Sequence, residues 1–372
     1  MKRWAWIEVS TRAIEHNVRE LAAMVAPAQL WAVVKANGYG HGAADSAHAA
    51  LAGGAQGLCV ALVQEAVELR EAGIEVPILV LSEQPGETAP SAIANRLTST
   101  VYSAEGVAAI AAAGGRLHPV HMKIDTGMRR VGVAIDDAVT LADLIAASPA
   151  VTLAGVFTHL AVSEEVDNDF TRVQLERLDS TLAALAKAGH HPPIVHAANS
   201  AAAILHPAAR RDVVRTGIAI YGLAPSPEIA HTCSALQPAL SLHARVSFVK
   251  RVRAGEGISY GLRHFFDRDT TVATLALGYA DGVPRRFGAV GGEVLLGGIR
   301  RPVVGVVTMD QLMIDCGPSS NGGAPVAVGD HAVLIGRQGD DEITVDDWAR
   351  RLGTINYEVV CGLSPRLERR AT

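Results

Sequence analysis

Through its first two thirds the chain repeats one pattern: a short β-branched run, a turn, then an alanine- and leucine-rich stretch of helical period. Eight such runs occur, Leu30–Lys35, Gly57–Ala61, Pro77–Leu81, Ser99–Tyr102, Pro119–Asp125, Leu153–His159, Pro193–His196 and Val213–Tyr221. Helices are expected after most of them, for example over Ala104–Ala113, Asp136–Ala147 and Phe170–Ala188, with the last two short. Runs such as Trp31–Lys35 are apolar on both faces, as parallel strands covered by helices must be. Eight such units closing on themselves make an α/β fold, a (β/α)8 TIM-type barrel, with an open doubly wound sheet as the rival. The barrel is favoured by where the reactive residues fall. Lys35, Arg130, His159, Asn199–Ser200 and Arg215–Gly217 sit at the C-terminal ends of different runs or in the loops just after them, where barrel active sites are built.

Past about Leu223 the pattern changes. Residues Ala224–Pro238 hold three prolines and no period, and read as a linker. Beyond them come alternating runs at Leu242–Val249, Val272–Leu277, Val303–Val307, Leu312–Asp315 and Ala332–Ile335, separated by glycine-rich turns. A mostly β C-terminal domain is therefore expected over 231–372, after a barrel over 10–230, with the N-terminal strand 1–9 joining the second domain. Within it Val345–Arg351 reads as a helix, with Thr344 as N-cap and Gly353 as the stop.

A length of 372 residues allows two domains, and 49% hydrophobic against 19% charged residues excludes a disordered chain or a coiled coil. With 33 basic and 38 acidic residues, no basic run and few aromatics, nucleic acid is not an expected partner. Cys59, Cys233, Cys316 and Cys361 lie far apart with no C-x-x-C pair, so reduced thiols and no metal centre are expected. The N-terminus reaches Glu8 and Arg12 before any apolar run and no membrane-length apolar stretch follows, which predicts a soluble cytoplasmic protein with no membrane partner.

Lys35 closes an apolar run in the segment A-V-V-K-A-N-G-Y-G-H-G, Ala32 to Gly42. A lysine so placed is partly desolvated, its neutral amine becomes accessible, and Schiff-base chemistry becomes possible. It could equally cap its strand at the surface. Gly38, Gly40 and Ala43 also fit a dinucleotide fingerprint, weakly, because three residues separate the strand from the first glycine and the matching acid, Glu65, opens a helix.

The segment resembles the pyridoxal-phosphate motif of the alanine racemase family, in which that lysine bonds the cofactor covalently. The resemblance continues in order through Met122–Gly132, Phe157–Ala161, Ala197–Ser200, Val214–Gly222, Ile258–Gly261, Gly278–Arg286, Thr308–Gln311 and Ile355–Glu358, nearly the whole chain. It implies an enzyme interconverting L- and D-alanine with pyridoxal 5′-phosphate, supplying D-alanine for peptidoglycan. Lys35 and Tyr260 would be the two catalytic bases, with His159 and Arg215 as neighbours that favour the phenolate. Arg215 would donate to the pyridine nitrogen and, unable to give up its proton, keep that nitrogen unprotonated. Tyr39, His159, Asn199, Ser200, Gly217, Ile218 and Tyr357 would complete the cofactor site. Arg130, Met309, Tyr260 and Tyr279 would meet the substrate, with Tyr279 and Arg285 lining its access channel. Lys123 would carry a carbamate that orients Arg130, and Tyr260 and Met309 would come from the partner subunit of a homodimer.

Taken alone these residues have plainer readings: Tyr260 as a turn aromatic, Arg215 as a surface charge, Asn199–Ser200 as a helix N-cap, Lys123 with its tip in water. Two departures from the family pattern, His159–Glu164 and Thr308, bear on substrate breadth. A broad-specificity racemase, for instance of serine, stays open. A non-catalytic carrier of the cofactor would end after the barrel, and related decarboxylases use a cysteine in a C-D-G-like motif where this chain has Cys316, Gly317 and Pro318.

Overall fold

A computed structural model describes residues 3–115, 117–318 and 325–372 of the protein. Contacts divide it into two units, Thr11–Pro238 and the residues up to Ser10 together with Ala239–Thr372. After β1 (Ala5–Val9), the first unit contains β2 (Gln29–Val33), β3 (Gly57–Val60), β4 (Ile78–Val80), β5 (Ser99–Val101), β6 (His118–Lys123), β7 (Val151–Phe157), β8 (Val195–His196) and β9 (Val213–Thr216). These eight strands run parallel, β2 pairs with both β3 and β9, and a bridge from Leu79 to Thr98 links β4 to the chain entering β5. The sheet therefore closes, as the eight repeated runs predict, and the open doubly wound alternative is excluded. All of β3 and β4 is buried, which explains why these runs are continuously apolar rather than alternating.

The expected helices form, with Ala104–Ala113 matching its predicted bounds. Residues Ile135–Asp137 tighten into a 3-10 turn ahead of the helix Ala138–Ala147. The last run is strand only to Thr216, and Ile218–Tyr221 coils into a 3-10 turn. The unit ends at Pro238 rather than at 230. The reason lies on the helix Thr11–Val25, where Asn17 sits buried among Ile14, Val18 and Leu21. Its side chain donates to Ile220 O and Gln237 O and accepts from Gln237 N, so the proline-rich segment is tied to the barrel, partly as a 3-10 coil over Pro227–Cys233.

In the second unit β1 pairs antiparallel with β10 (Leu240–Val252) and parallel with the C-terminal strand Glu368–Ala371. The nine-stranded sheet is otherwise antiparallel in its pairings and includes Thr270–Leu275, Ile299–Val304, Leu312–Asp315 and His331–Gln338, close to the predicted runs. The strands Glu293–Leu296 and Asp341–Ile343 and the helix Asn356–Cys361 are additional to those read from the sequence. The predicted helix spans Val345–Leu352; Thr344 accepts from Asp347 N, and Gly353 ends the helix at φ 66°. Among the described residues no helix is long and apolar enough to cross a membrane.

Candidate active site

At the C-terminal end of the barrel the chain leaves β2 through a left-handed coil. Ala36, Asn37, Gly38 and Tyr39 all have φ between 52° and 62°, which costs residues bearing a Cβ roughly 1–2 kcal/mol each. The coil closes its own bonds, Gly38 N to Val34 O and Gly40 N to Ala36 O. Glu65 holds it from outside, accepting from Ala36 N at 2.6 Å and from Ala61 N and Leu62 N. With three backbone donors on its carboxylate, Glu65 is not a ribose acceptor, and the dinucleotide reading fails. It is instead a positioning group one residue from Lys35, a role that sequence spacing does not signal.

Arg215, on β9, is buried and fully engaged. Its guanidinium donates to His196 Nδ1 at 2.6 Å, to Thr158 O at 2.8 Å and to Ala197 O at 3.1 Å, and His159 Nδ1 lies at 3.5 Å. Because guanidinium only donates, His196 Nδ1 accepts, and its Nε2 carries the proton given to His121 Nδ1 at 2.8 Å. Both rings are neutral: burial and then Arg215 push His121 down to about 3 and His196 well below its ordinary value. Phe157 stacks on His196 with an interplanar angle of 5°. This arginine is thus an interior residue, aimed by a one-way hydrogen-bond chain through the barrel core, and not a surface charge. Burial pushes it down to about 10, which leaves it a cation at neutral pH.

His159, where β7 gives way to its loop, is pushed well below its ordinary value by burial and by the charges of Arg215, Arg130, Lys123 and Lys35. It is a neutral hydrogen-bonding group at neutral pH, so any support it gives a nearby phenolate comes through hydrogen bonding and not through charge. Lys123 is buried at the end of β6, not water-facing, with Nζ 3.3 Å from Leu81 O and 5.3 Å from the Phe157 ring. Burial and the neighbouring cations push it down to about 7. Arg130 follows on an exposed loop whose turn is formed by Asp125 accepting from Gly127 N and Arg129 N.

After β8 and β9 two turns face each other. Asn199 caps the helix Ser200–Leu205, and its amide oxygen takes bonds from both Ala202 N and Ser163 Oγ. Ser163 belongs to the segment that departs from the family pattern, so that departure supports Asn199. Ser200 Oγ accepts from Gly217 N at 2.8 Å and keeps its own proton to donate. At Ile218 the 3-10 turn begins, and its first amides find no acceptor within the turn itself. Any Cβ on residue 217 would stand 2.5 Å from the Tyr39 hydroxyl, so glycine is what lets the tyrosine tip reach this turn.

The second unit holds the remaining candidates, with Tyr357 in the first turn of the helix Asn356–Cys361. Tyr260, Tyr279 and Met309 are all exposed, and their loops meet along Val306–Met309. Ser259 Oγ donates to Val306 O, Tyr279 N to Thr308 O and Ala280 N to Met309 O, while Val307 N donates to Arg285 O. Thr308 closes the Met309 turn by donating from N and Oγ1 to Gln311 O. Cys316 is buried and its thiol is pushed up to about 11, an inert group and not a catalytic one.

Comparison with known proteins decides the assignment. Residues 9–225 match the family described as "Alanine racemase, N-terminal domain", and residues 239–371 match "Alanine racemase, C-terminal domain". The chain belongs to the alanine racemase family. Its members are pyridoxal-phosphate-dependent isomerases that interconvert L- and D-alanine. The alanine racemase of Symbiobacterium thermophilum is 46% identical over 99% of this chain and 97% of its own length. The crystal structure of alanine racemase from Bacillus anthracis with bound L-Ala-P superposes with a TM-score of 0.94 at 38% identity, covering 100% of this chain and 96% of that one. That of alanine racemase from E. faecalis gives 0.93, also at 38%, with 100% and 98% covered. Both units are accounted for, which removes the carrier reading, since a carrier would end with the barrel.

Proposed function

We propose that this chain racemises alanine in the cytoplasm with pyridoxal 5′-phosphate held at Lys35, as a homodimer, and supplies D-alanine for peptidoglycan. The observation that carries the proposal is Arg215, a permanent donor fixed at the C-terminal end of β9 by His196, Thr158 and Ala197. Pyridoxal phosphate, when bound, draws electron density from the substrate α-carbon and acidifies its C–H bond. A guanidinium donor leaves the pyridine nitrogen unprotonated, which moderates that withdrawal and favours prompt return of the proton.

The residues present fit the group. Ser200 Oγ, the Gly217–Ile218 turn and the Tyr39 hydroxyl form a cradle of donors that a Cβ at 217 would fill, suited to a phosphate. By the family resemblance Tyr357 is a further hydroxyl donor to the cofactor, and Asn199 contributes by capping the helix that presents Ser200. Lys35, Lys123, Arg130 and Arg215 concentrate positive charge around neutral His159, an environment that draws an anionic cofactor and a substrate carboxylate. A carbamate on Lys123 would turn one of these cations into an anion that orients Arg130 toward that carboxylate.

Inversion needs one group that takes the α-proton and another that returns one to the opposite face. Lys35 and Tyr260 fill these roles, with Tyr260 and Met309 supplied by the partner subunit and Tyr279 lining the approach. The exposure of Tyr260, Tyr279 and Met309 in the single chain supports surfaces that complete a neighbour's site.

Chiral analysis of L-alanine incubated in deuterated water with the cofactor-loaded protein tests this directly. Deuterated D-alanine is the expected product. If none forms while the cofactor band persists, alanine is not the substrate, and the same assay with serine or lysine identifies another racemase.

A further inference from the structure

Tyr260 is 70% exposed, so its own packing within the chain does not aim its phenol, and its backbone must. That backbone is unusual. Ser259 has φ 64° and ψ −174°, a region occupied almost only by glycine, and Gly261 and Leu262 follow at φ 74° and 44°. Glycine at 259 would adopt this conformation freely, yet the chain places a serine there. The serine hydroxyl donates to Val306 O at 2.6 Å. Across from it Gly305, at φ 71°, has no Cβ; one there would stand 2.7 Å from Ser259 Cβ and 3.1 Å from Ile258 O. On the other side Leu262 N closes the turn onto Ser259 O at 3.1 Å, and Ile258 pairs with His264 in a two-stranded ribbon. The strained residue is thus pinned from its side chain, its carbonyl and the facing backbone, while the phenol it precedes is left exposed.

We propose that Ser259 is a positioning residue for Tyr260: its hydroxyl latches the left-handed backbone onto the Val306 carbonyl, and the latch sets the direction of the phenol. The same segment receives amides from the Tyr279 loop and carries Met309, so the latch also fixes Tyr260 relative to both. The proposal rests on the reading of Tyr260 as a proton-transferring group. Proton transfer tolerates little displacement, and a 1 Å error costs on the order of 100-fold in rate.

Two substitutions separate the latch from a simple packing role. Ser259→Gly accepts the dihedral angles but loses the hydroxyl; Ser259→Ala keeps the Cβ strain without the hydroxyl that latches it. Racemisation should fall roughly tenfold in the glycine variant and about 100-fold in the alanine variant, in kcat more than KM. A packing role would instead order them by volume, with alanine the milder change.

A second readout concerns the proton. In deuterated water a misplaced Tyr260 leaves Lys35 able to remove an α-proton and return a deuteron to the same face. Exchange without inversion should therefore rise relative to racemisation in both variants, and hydrogen exchange across 257–265 should quicken. Gly305→Ala, which presses on Ser259 from outside, should reproduce the signature if the alanine variant fails to fold. The proposal is overturned if the alanine variant matches or exceeds the glycine variant, or if the exchange-to-inversion ratio stays at the wild-type value. Tyr260→Phe is the control. If it racemises normally, the role of Tyr260 itself is wrong, an outcome distinct from loss of racemisation in Tyr260→Phe with unaltered Ser259 variants.

Discussion

Lys123 offers a prediction whose size follows from its surroundings. Burial, then Arg215, Arg130 and Lys35, push its ammonium from 10.5 down to about 7, against the pull of Asp125. At pH 7 an ordinary lysine is neutral in only about 0.03% of molecules, whereas a group titrating at about 7 is neutral in roughly half, a gain on the order of a thousandfold. Carbon dioxide reacts with the neutral amine: an N–C bond forms, a proton is released, and the product is a carbamate anion. Protein equilibrated with carbon-13 bicarbonate should show a carbamate resonance whose occupancy climbs through pH about 7, and which Lys123→Met abolishes. No resonance, one that survives Lys123→Met, or a midpoint near 10 would refute the reasoning. The linkage has a definite sign. Between about 7 and 10.5 the unfolded chain holds the Lys123 proton and the folded chain does not, so stability rises with pH across that window. In the unmodified protein the full penalty, up to about 5 kcal/mol, stands below about pH 7 and vanishes above 10.5.

Gly217→Ala should push the Tyr39 hydroxyl away and weaken pyridoxal-phosphate binding about tenfold, the worth of one hydrogen bond to a charged group; a spectral titration giving the wild-type Kd would contradict this. Glu65→Ala strips three backbone amides of their acceptor and should cost about 3 kcal/mol in denaturant unfolding, with kcat reduced through the coil that follows Lys35. In Arg215→Glu the donor to the pyridine nitrogen is gone, and pyruvate formed per D-alanine formed should rise; an unaltered ratio speaks against the role of Arg215. Mixing Lys35→Ala with Tyr260→Ala protein should restore part of the activity in mixed dimers, and no recovery would place each site within one chain.

The periodic features were legible because each reports a local rule. Continuous apolar runs marked the barrel strands, Thr344 and Gly353 bracketed their helix, and the order of reactive residues at strand ends pointed to one end of a barrel. Short strands such as Glu293–Leu296 and Asp341–Ile343 were missed because strands this brief carry almost no period of their own. The end of the barrel unit was misplaced because a buried Asn17, some 220 residues away along the chain, decides where the proline-rich segment belongs.

Within the candidate site the chemical types were readable and their states were not. Lys35, Arg215, Lys123 and Tyr260 announce themselves by type and motif, since only certain side chains can bond, donate or exchange a proton. Whether His159 is charged, whether Lys123 is an amine or an ammonium, and which way His196 is protonated depend on burial and on cations brought from other strands. Glu65 and Ser259 acquire their roles only when the fold sets a backbone amide or carbonyl beside them. The sequence by itself determined the barrel, the second β domain and the candidates for reactive groups, because local period and residue chemistry are written along the chain. Tertiary structure alone decided protonation, aim and strain, because these come from fields and contacts between residues far apart in sequence.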